Sequence, residues 1–254
     1  MAELSVTDAD AVRTIAIDRP DRLNAMTPDT ASALERALRD AAEDPGVGAV
    51  VLTGIGGNFS AGGDAHAILE RIESTDERAP LELMRTFHRL VEEVWNSALP
   101  IVAAVSGVAY GGGFNLALAC DLVVCSPDAR FCQVFLRRGL VPDVGGAWLL
   151  PRIVGLQRAK ELMLLTPEID ARRALEVGIV TAVVPDPLRH ATDLARRLAA
   201  GPRLATSLTK RLMNASTDGD LRGSLETEAV MQALALRGAD ARAGFEAFLR
   251  RSGH

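Results

Sequence analysis

The stretches "TGIGGNFSAGGD" (Thr53–Asp64) and "GVAYGGGFN" (Gly107–Asn115) each follow an apolar run and each lead into a helix-like segment. Glycine allows close backbone approach and positive φ, and the first N–H groups of a helix lack intrahelical acceptors while carrying the positive end of its dipole. Two such stretches aimed at one point would offer two N–H donors to a single developing oxyanion, an arrangement worth about 3–4 kcal/mol per donor when one is removed. The same residues also suit plain strand-to-helix turns, and composition leaves both readings open. Neither stretch holds G-x-G-x-x-G or G-K-[ST], and no G-x-S-x-G surrounds Ser60 or Ser106, so nucleotide-cofactor and serine-hydrolase readings fall behind.

A third candidate is Asp143 in "GLVPDVGG" (Gly139–Gly146). Flanking Val141 and Val144 would desolvate its carboxylate and raise its pKa towards useful proton transfer. Pro-Asp-x-Gly is equally ordinary turn chemistry, or an N-cap for the helix-like "VGGAWLL". Asp64 and Asp121 read as helix caps or turn formers. The four histidines show no metal-ligand spacing, and Cys120, Cys125 and Cys132 form no C-x-x-C pair, so buried thiols and no metal site are expected.

The elements that would position these residues alternate. "AVRTIAIDRP" alternates as a half-buried strand, and "TPDTASALERALRDAAEDPG" is a helix with Thr27 as N-cap and Pro28 at its first position. "VGAVVLTG", "LPIVAAVSG" and "DLVVCS" read as buried strands, separated by helices over Asp64–Ser97, with a break near 74–80, and from Gly111 to Ala119. Beyond Gly145 the pattern is helical except for "IVTAVV". An α/β domain with a largely buried sheet follows. A hydrophobic content of 48% can fill a sizeable core, and a net charge of −5 with 24% charged residues provides no positive field to draw nucleic acid or an anionic membrane. No apolar stretch reaches the roughly 18 residues of a membrane span, and a cytoplasmic protein is expected.

"GGNFSAGGD", then "PIVAAVSGVAYGGGFNLALACDLVVCSPDARF", then "GLVPDVGGAWLLPRIVGLQRAKELML" resemble the crotonase superfamily, the enoyl-CoA hydratase/isomerase group. The likeness runs from "IDRPDRLNAMT" to "AGFEAFLRRS", nearly the whole chain. It implies a spiral of ββα units over residues 1–195 and a helical trimerisation region over 196–254, in a homotrimer or homohexamer. The implied substrate is an acyl-CoA thioester, with coenzyme A part of the substrate and no separate cofactor.

Carried over residue by residue, the resemblance makes Gly63 and Gly112 the oxyanion donors. Resembling hydratases use two glutamates; Asn115 and Phe135 stand at those positions here, which argues against ordinary hydration. In resembling isomerases, including those of the phenylacetate pathway, the aspartate corresponding to Asp143 is the acid/base, and one carboxylate suffices to move a proton between Cα and Cγ. Asn115, Phe135 and His66 are expected at the acyl pocket, and Arg22, Ala61, Phe248 and Arg251 at coenzyme A. Phe87, Trp95 and Trp148 fit either a pocket wall or ordinary core. The competing readings are a hydratase in which Asp143 and Asn115 handle water, a non-catalytic acyl-CoA binder, and, more remotely, a ClpP-like peptidase.

Overall fold

The computed structural model describes residues 3–251. The apolar runs form β2 (Val12–Ile17), β3 (Ala49–Gly54), β4 (Ile101–Val105) and β6 (Leu122–Cys125), paired in parallel in that order. Antiparallel β1 (Leu4–Ala9) extends one edge of this sheet and β9 (Ala182–Val183) the other. A second, smaller sheet holds β5 (Val108–Tyr110), β7 (Arg130–Cys132) and β8 (Ile169–Asp170).

Side-chain alternation divides the large sheet between two layers of helix. Val50, Leu52, Ile101, Ala103 and Val105 share a core with Leu34 and Leu38 of α1 (Pro28–Glu43) and with Leu90 and Val94 of α3 (Ala79–Asn96). Ala49, Val51, Val102 and Ala104 pack instead on Ala191 and Ala195 of α8 (Pro187–Ala199), where small residues on both sides let helix and sheet approach closely. Helix α1 begins as its sequence predicts: Thr27 Oγ1 accepts from the Thr30 N–H at 3.1 Å, and Pro28 follows.

Three successive passes of the chain repeat one pattern. β3 lies in the large sheet, Ser60 makes a parallel bridge to Ala109 of β5, and α2 (Ala65–Ile72) follows. β4 lies in the large sheet, β5 in the small one, and α4 (Gly112–Ala119) follows. Then β6 and β7 repeat the step before a 3₁₀ turn (Val134–Arg138) and α5 (Gly146–Val154). Register aligns the passes, since Ala109 faces Ser60 on one side and Phe131 on the other.

The helical pattern beyond Gly145 resolves into separate elements. The run "GAWLLPRIVGLQRAKELMLL" is two helices, because Gly155, at φ 82°, separates α5 from α6 (Leu156–Leu164). A domain boundary at residue 195 cuts through α8, which belongs with the core because its buried alanines cover the sheet. Helix α7 (Ala171–Glu176) connects β8 towards β9. Helix α9 (Arg203–Ser216) is also tied to the core: Lys210 Nζ donates to Asp121 Oδ2 at 2.8 Å and to the carbonyls of Val94 and Leu99, and Asn214 Nδ2 donates to Trp95 O. Asp121 also accepts the Ile101 N–H at 2.7 Å, so it joins strand to helix rather than capping one. By contrast, α10 (Leu221–Leu236) and α11 (Ala239–Arg251) bury no residue within the chain. Among the described residues no helix is long and apolar enough to cross a membrane.

The Lys210–Asp121 pair is largely removed from solvent, with Lys210 Nζ also bonded to two carbonyls, so cutting one side strands the other. Lys210→Met is expected to lower unfolding free energy by about 3 kcal/mol. Urea denaturation at pH 7 checks this; an unchanged midpoint would show that the clasp carries no stability.

Candidate active site

The parallel bridge between Ser60 and Ala109 sets the site, because Gly63 lies three residues after the first and Gly112 three after the second. Both glycines therefore leave the small sheet side by side. A second bridge, Met26 to Gly63, is made by Met26 N–H donating to Gly62 O and Asp64 N–H donating to Met26 O, which turns the Gly63 N–H to the opposite side. Gly112 is the first residue of α4, where an N–H has no intrahelical acceptor. Neither N–H has an acceptor among the described residues.

Glycine is required here for space. A β-carbon on Gly62, which sits at φ 92°, would lie 2.7 Å from Tyr110 O and 3.1 Å from Gly112 N. One on Gly113 would overlap Ser60, so α4 begins directly against the first stretch. That stretch is pinned from behind: Asn24 Nδ2 donates to the carbonyls of Ile55 and Asn58, and Ser60 Oγ donates to Asn24 O while accepting from Gly62 N.

Asp143 meets the same point from the third pass. The position a β-carbon would take on Gly112 lies 3.9 Å from Gly63 N and 3.9 Å from Asp143 Oδ1. Two donors and a carboxylate thus border one cavity, walled otherwise by Ile68, Met84, Phe87, Val134, Phe135, Leu140 and Val144, with Arg138 beside them. Its free volume is about 40 Å³ with these side chains in place. Asp143 Oδ1 is buried without a hydrogen-bond partner. Burial pushes its carboxyl up to about 6, against the opposing pull of its own backbone N–H. The next residue, Val144, is buried at φ 50°, a left-handed conformation that a β-branched residue rarely adopts and that costs about 1–3 kcal/mol.

Of the other expected site residues, Phe135 and Ala61 line the cavity and the rest do not. Asn115 is fully buried behind the cavity wall: its Nδ2 donates to Asp143 O at 2.8 Å and its Oδ1 accepts from Gln133 Nε2 at 2.7 Å. It is not a pocket-lining residue, because both ends of its amide are spent within the chain. Phe135 does line the cavity, closing the side beside Gly111. His66 is exposed and lies outside the cavity, in a separate cleft of about 540 Å³ that includes Arg19, Arg22, Asp64 and Arg71. Asp64 caps α2 through the N–H groups of His66 and Ala67 and pairs with Arg19. Although burial would raise its pKa, those N–H groups and Arg19 together hold it below the usual carboxylate value. Arg22 and Arg71 make no ion pair among the described residues.

Ala61 borders the cavity, but its N–H is committed to Leu23 O at 2.9 Å, so its carbonyl is the atom left for a ligand. Phe248 and Arg251, on α11, border neither the cavity nor the cleft. Trp95 and Trp148 pack edge to face outside the cavity, whereas Phe87 lines it. Among the described residues no three His, Cys, Asp or Glu side chains gather as metal ligands. Arg138 and Arg71 were missed from sequence, where each is one arginine among many; Ile68 and Met84 carry only the signal of an inward helix face.

This geometry coincides with a family assignment. The profile of the enoyl-CoA hydratase/isomerase family matches residues 7–253. The chain is 36% identical to 1,2-epoxyphenylacetyl-CoA isomerase of Escherichia coli, covering 94% of this chain and 92% of that protein. It is 32% identical to crotonyl-CoA hydratase of Syntrophomonas wolfei, covering 92% and 90% respectively. The crystal structure of an enoyl-CoA hydratase/isomerase from Cupriavidus metallidurans superposes with a TM-score of 0.92 at 35% identity, over 99% of this chain and 94% of that one. The chain belongs to the enoyl-CoA hydratase/isomerase family, within the crotonase superfamily, and has its mixed α/β fold.

Two substitutions probe the cavity. Gly112→Ala sets a methyl 3.9 Å from both Gly63 N and Asp143 Oδ1 while its backbone needs no positive φ, so any acyl-CoA turnover that uses this cavity should fall about 100-fold or more with little change in melting temperature; wild-type turnover would show that the reaction takes place elsewhere. Asp143→Asn should stabilise the protein by about 1–2 kcal/mol at pH 7, the shift being discounted for partial exposure. The sign follows from a folded-state pKa above the unfolded one: protonation favours the native state, so the wild type loses stability as pH rises through about 6. At about pH 3, well below the unfolded value, the carboxyl is neutral folded or unfolded and the two proteins should converge. Denaturation curves at both pH values check this.

Proposed function

We propose that this enzyme isomerises the double bond of an enoyl-CoA, with Asp143 as the single acid/base and the Gly63 and Gly112 N–H groups holding the thioester oxygen. The observation that carries the reading is that Asp143 is the only carboxylate among the described residues lining the cavity, and that it stands beside both donors. Asp143 takes a proton from Cα of a 3-enoyl thioester, and the electron pair of that C–H bond delocalises onto the carbonyl oxygen, where the two N–H groups stabilise it. The same carboxyl then returns its proton to Cγ, leaving the 2-enoyl product. A carboxyl held at about 6 is ionised at neutral pH yet basic enough to accept a proton, and the apolar wall formed by Phe135, Phe87 and Val144 keeps water from competing.

The competing readings lose support from particular residues. Hydration needs a second group to direct water, and Asn115 does not line the cavity and has both ends of its amide bonded to Asp143 O and Gln133 Nε2. A mere binder has no use for a buried carboxylate without a partner. The peptidase reading finds no serine, threonine or cysteine among the described residues lining the cavity, and Ser60 Oγ is engaged with Asn24 O and Gly62 N.

In this reading the coenzyme A phosphates lie in the outer cleft near Arg22 and Arg71, with the Ala61 carbonyl facing the nucleotide. Phe248 and Arg251 serve a neighbouring copy. Assembly as a trimer or hexamer is supported by Leu225, Val230, Leu234, Phe245 and Leu249, apolar side chains exposed on α10 and α11.

Conversion of 3-hexenoyl-CoA to 2-hexenoyl-CoA, resolved by chromatography, tests the chemistry. Asp143→Asn should reduce it by a factor of about 10²–10⁴, and wild-type kcat/KM should fall about tenfold per unit below pH 6. Equal rates for the two proteins would remove Asp143 from the mechanism, and a 3-hydroxyacyl product would establish hydration instead.

A further inference from the structure

We propose that Asn115 is a positioning residue that fixes the backbone of Asp143 relative to the oxyanion donor Gly112. The inference rests on Asp143 being the proton carrier. Asn115 and Gly112 share the first turn of α4, so the helix that presents the donor also carries the carboxamide that grips the base. Asn115 Nδ2 donates to Asp143 O at 2.8 Å, and Asn115 Oδ1 accepts from Gln133 Nε2 at 2.7 Å. The same Asp143 carbonyl accepts the Gly146 N–H at 2.9 Å. A β-carbon on Gly146 would overlap the Asn115 carboxamide, so glycine at the start of α5 is what lets the two meet.

Three parts of the chain therefore converge on one buried amide: α4, the residue following β7, and the loop leading into α5. The amide has one orientation only. Turned over, it would set its NH₂ against that of Gln133 and its oxygen against the carbonyl of Asp143. Among the described residues no ion pair or hydrogen bond from another residue holds the Asp143 carboxylate, whose Oδ1 is buried and unpartnered and whose one polar neighbour is its own backbone N–H. The alignment of base and donor thus depends on its main chain. Misplacement of a reacting group by about 1 Å costs on the order of 10²-fold in rate. Loosening the loop would also admit water to the carboxylate. Around that carboxylate, α2 and α3 contribute only Ile68, Met84 and Phe87, and Arg138 is the other charged side chain lining the cavity.

The test compares full-length wild type with Asn115→Leu, which fills the same space without either bond, and with Gln133→Met, which removes only the outer one. Titration of the Asp143 carboxyl by ¹³C NMR, assigned through Asp143→Asn, needs no substrate. In Asn115→Leu the midpoint should drop by about one unit from its value near 6, since burial is what raises it. With 3-hexenoyl-CoA, kcat should fall about tenfold or more while KM stays within about threefold, and Gln133→Met should shift both readouts in the same direction by less. An unchanged midpoint and kcat in folded Asn115→Leu would reduce Asn115 to packing. If that variant does not fold, Gln133→Met decides, and wild-type values there overturn the proposal. Full activity in Asp143→Asn would instead overturn the assignment of the base, a result separate from the fate of Asn115.

Discussion

The site depends on strand register. A single residue, Ser60, joins the small sheet opposite Ala109, and that one bridge decides that the glycines three residues further on leave the sheet together. Because side chains and amides alternate in direction along an extended chain, a slip of one residue would turn the Gly63 N–H away from the Gly112 N–H. The devices around Ser60 oppose such a slip: its hydroxyl bridges Asn24 O and Gly62 N, and its carbonyl and side chain occupy the space that any β-carbon at 113 would need. A pair of main-chain N–H groups is thereby fixed in place at the cavity by the fold alone, the preorganisation that the proposed oxyanion role requires.

The third pass supplies the carboxylate at the same level, and its environment is arranged at the expense of stability. Asp143 is neither paired nor hydrogen-bonded at Oδ1, whereas Asp64, which is buried, and Asp121, whose side chain is partly covered, have Arg19 and Lys210 as partners. Asp64 and Asp121 are thus each neutralised by a cation, whereas Asp143 is desolvated without one. That contrast separates roles among aspartates that look alike in sequence.

Much of the frame was legible beforehand. Thr27 with Pro28 marked a helix start, the valine-rich runs marked buried strands, and the glycine stretches marked the places where strand gives way to helix. The short strands β5, β7 and β8 were not legible, because two or three residues carry no periodicity and are held by neighbours rather than by propensity. Motif position placed Gly63, Gly112 and Asp143 together, but it could not tell which way Asn115 points. That depends on Gln133 and Gly146, a residue with no evident signal and a glycine that reads simply as a turn. His66 was misplaced for a similar reason: lying two residues beyond the cap of α2 carries it round the helix into the outer cleft.

Val144 shows what shape is worth to this molecule. A chain selected for folding alone would favour glycine at φ 50°, where a branched side chain is crowded by its own backbone. Valine there gives up that relief and in return sets a methyl group, Cγ2, 3.2 Å from where a β-carbon on Gly112 would stand. One side of the cavity is therefore a hydrocarbon surface held in place by conformational tension, and removing the branch would ease the main chain while leaving Asp143 a softer, wetter surround.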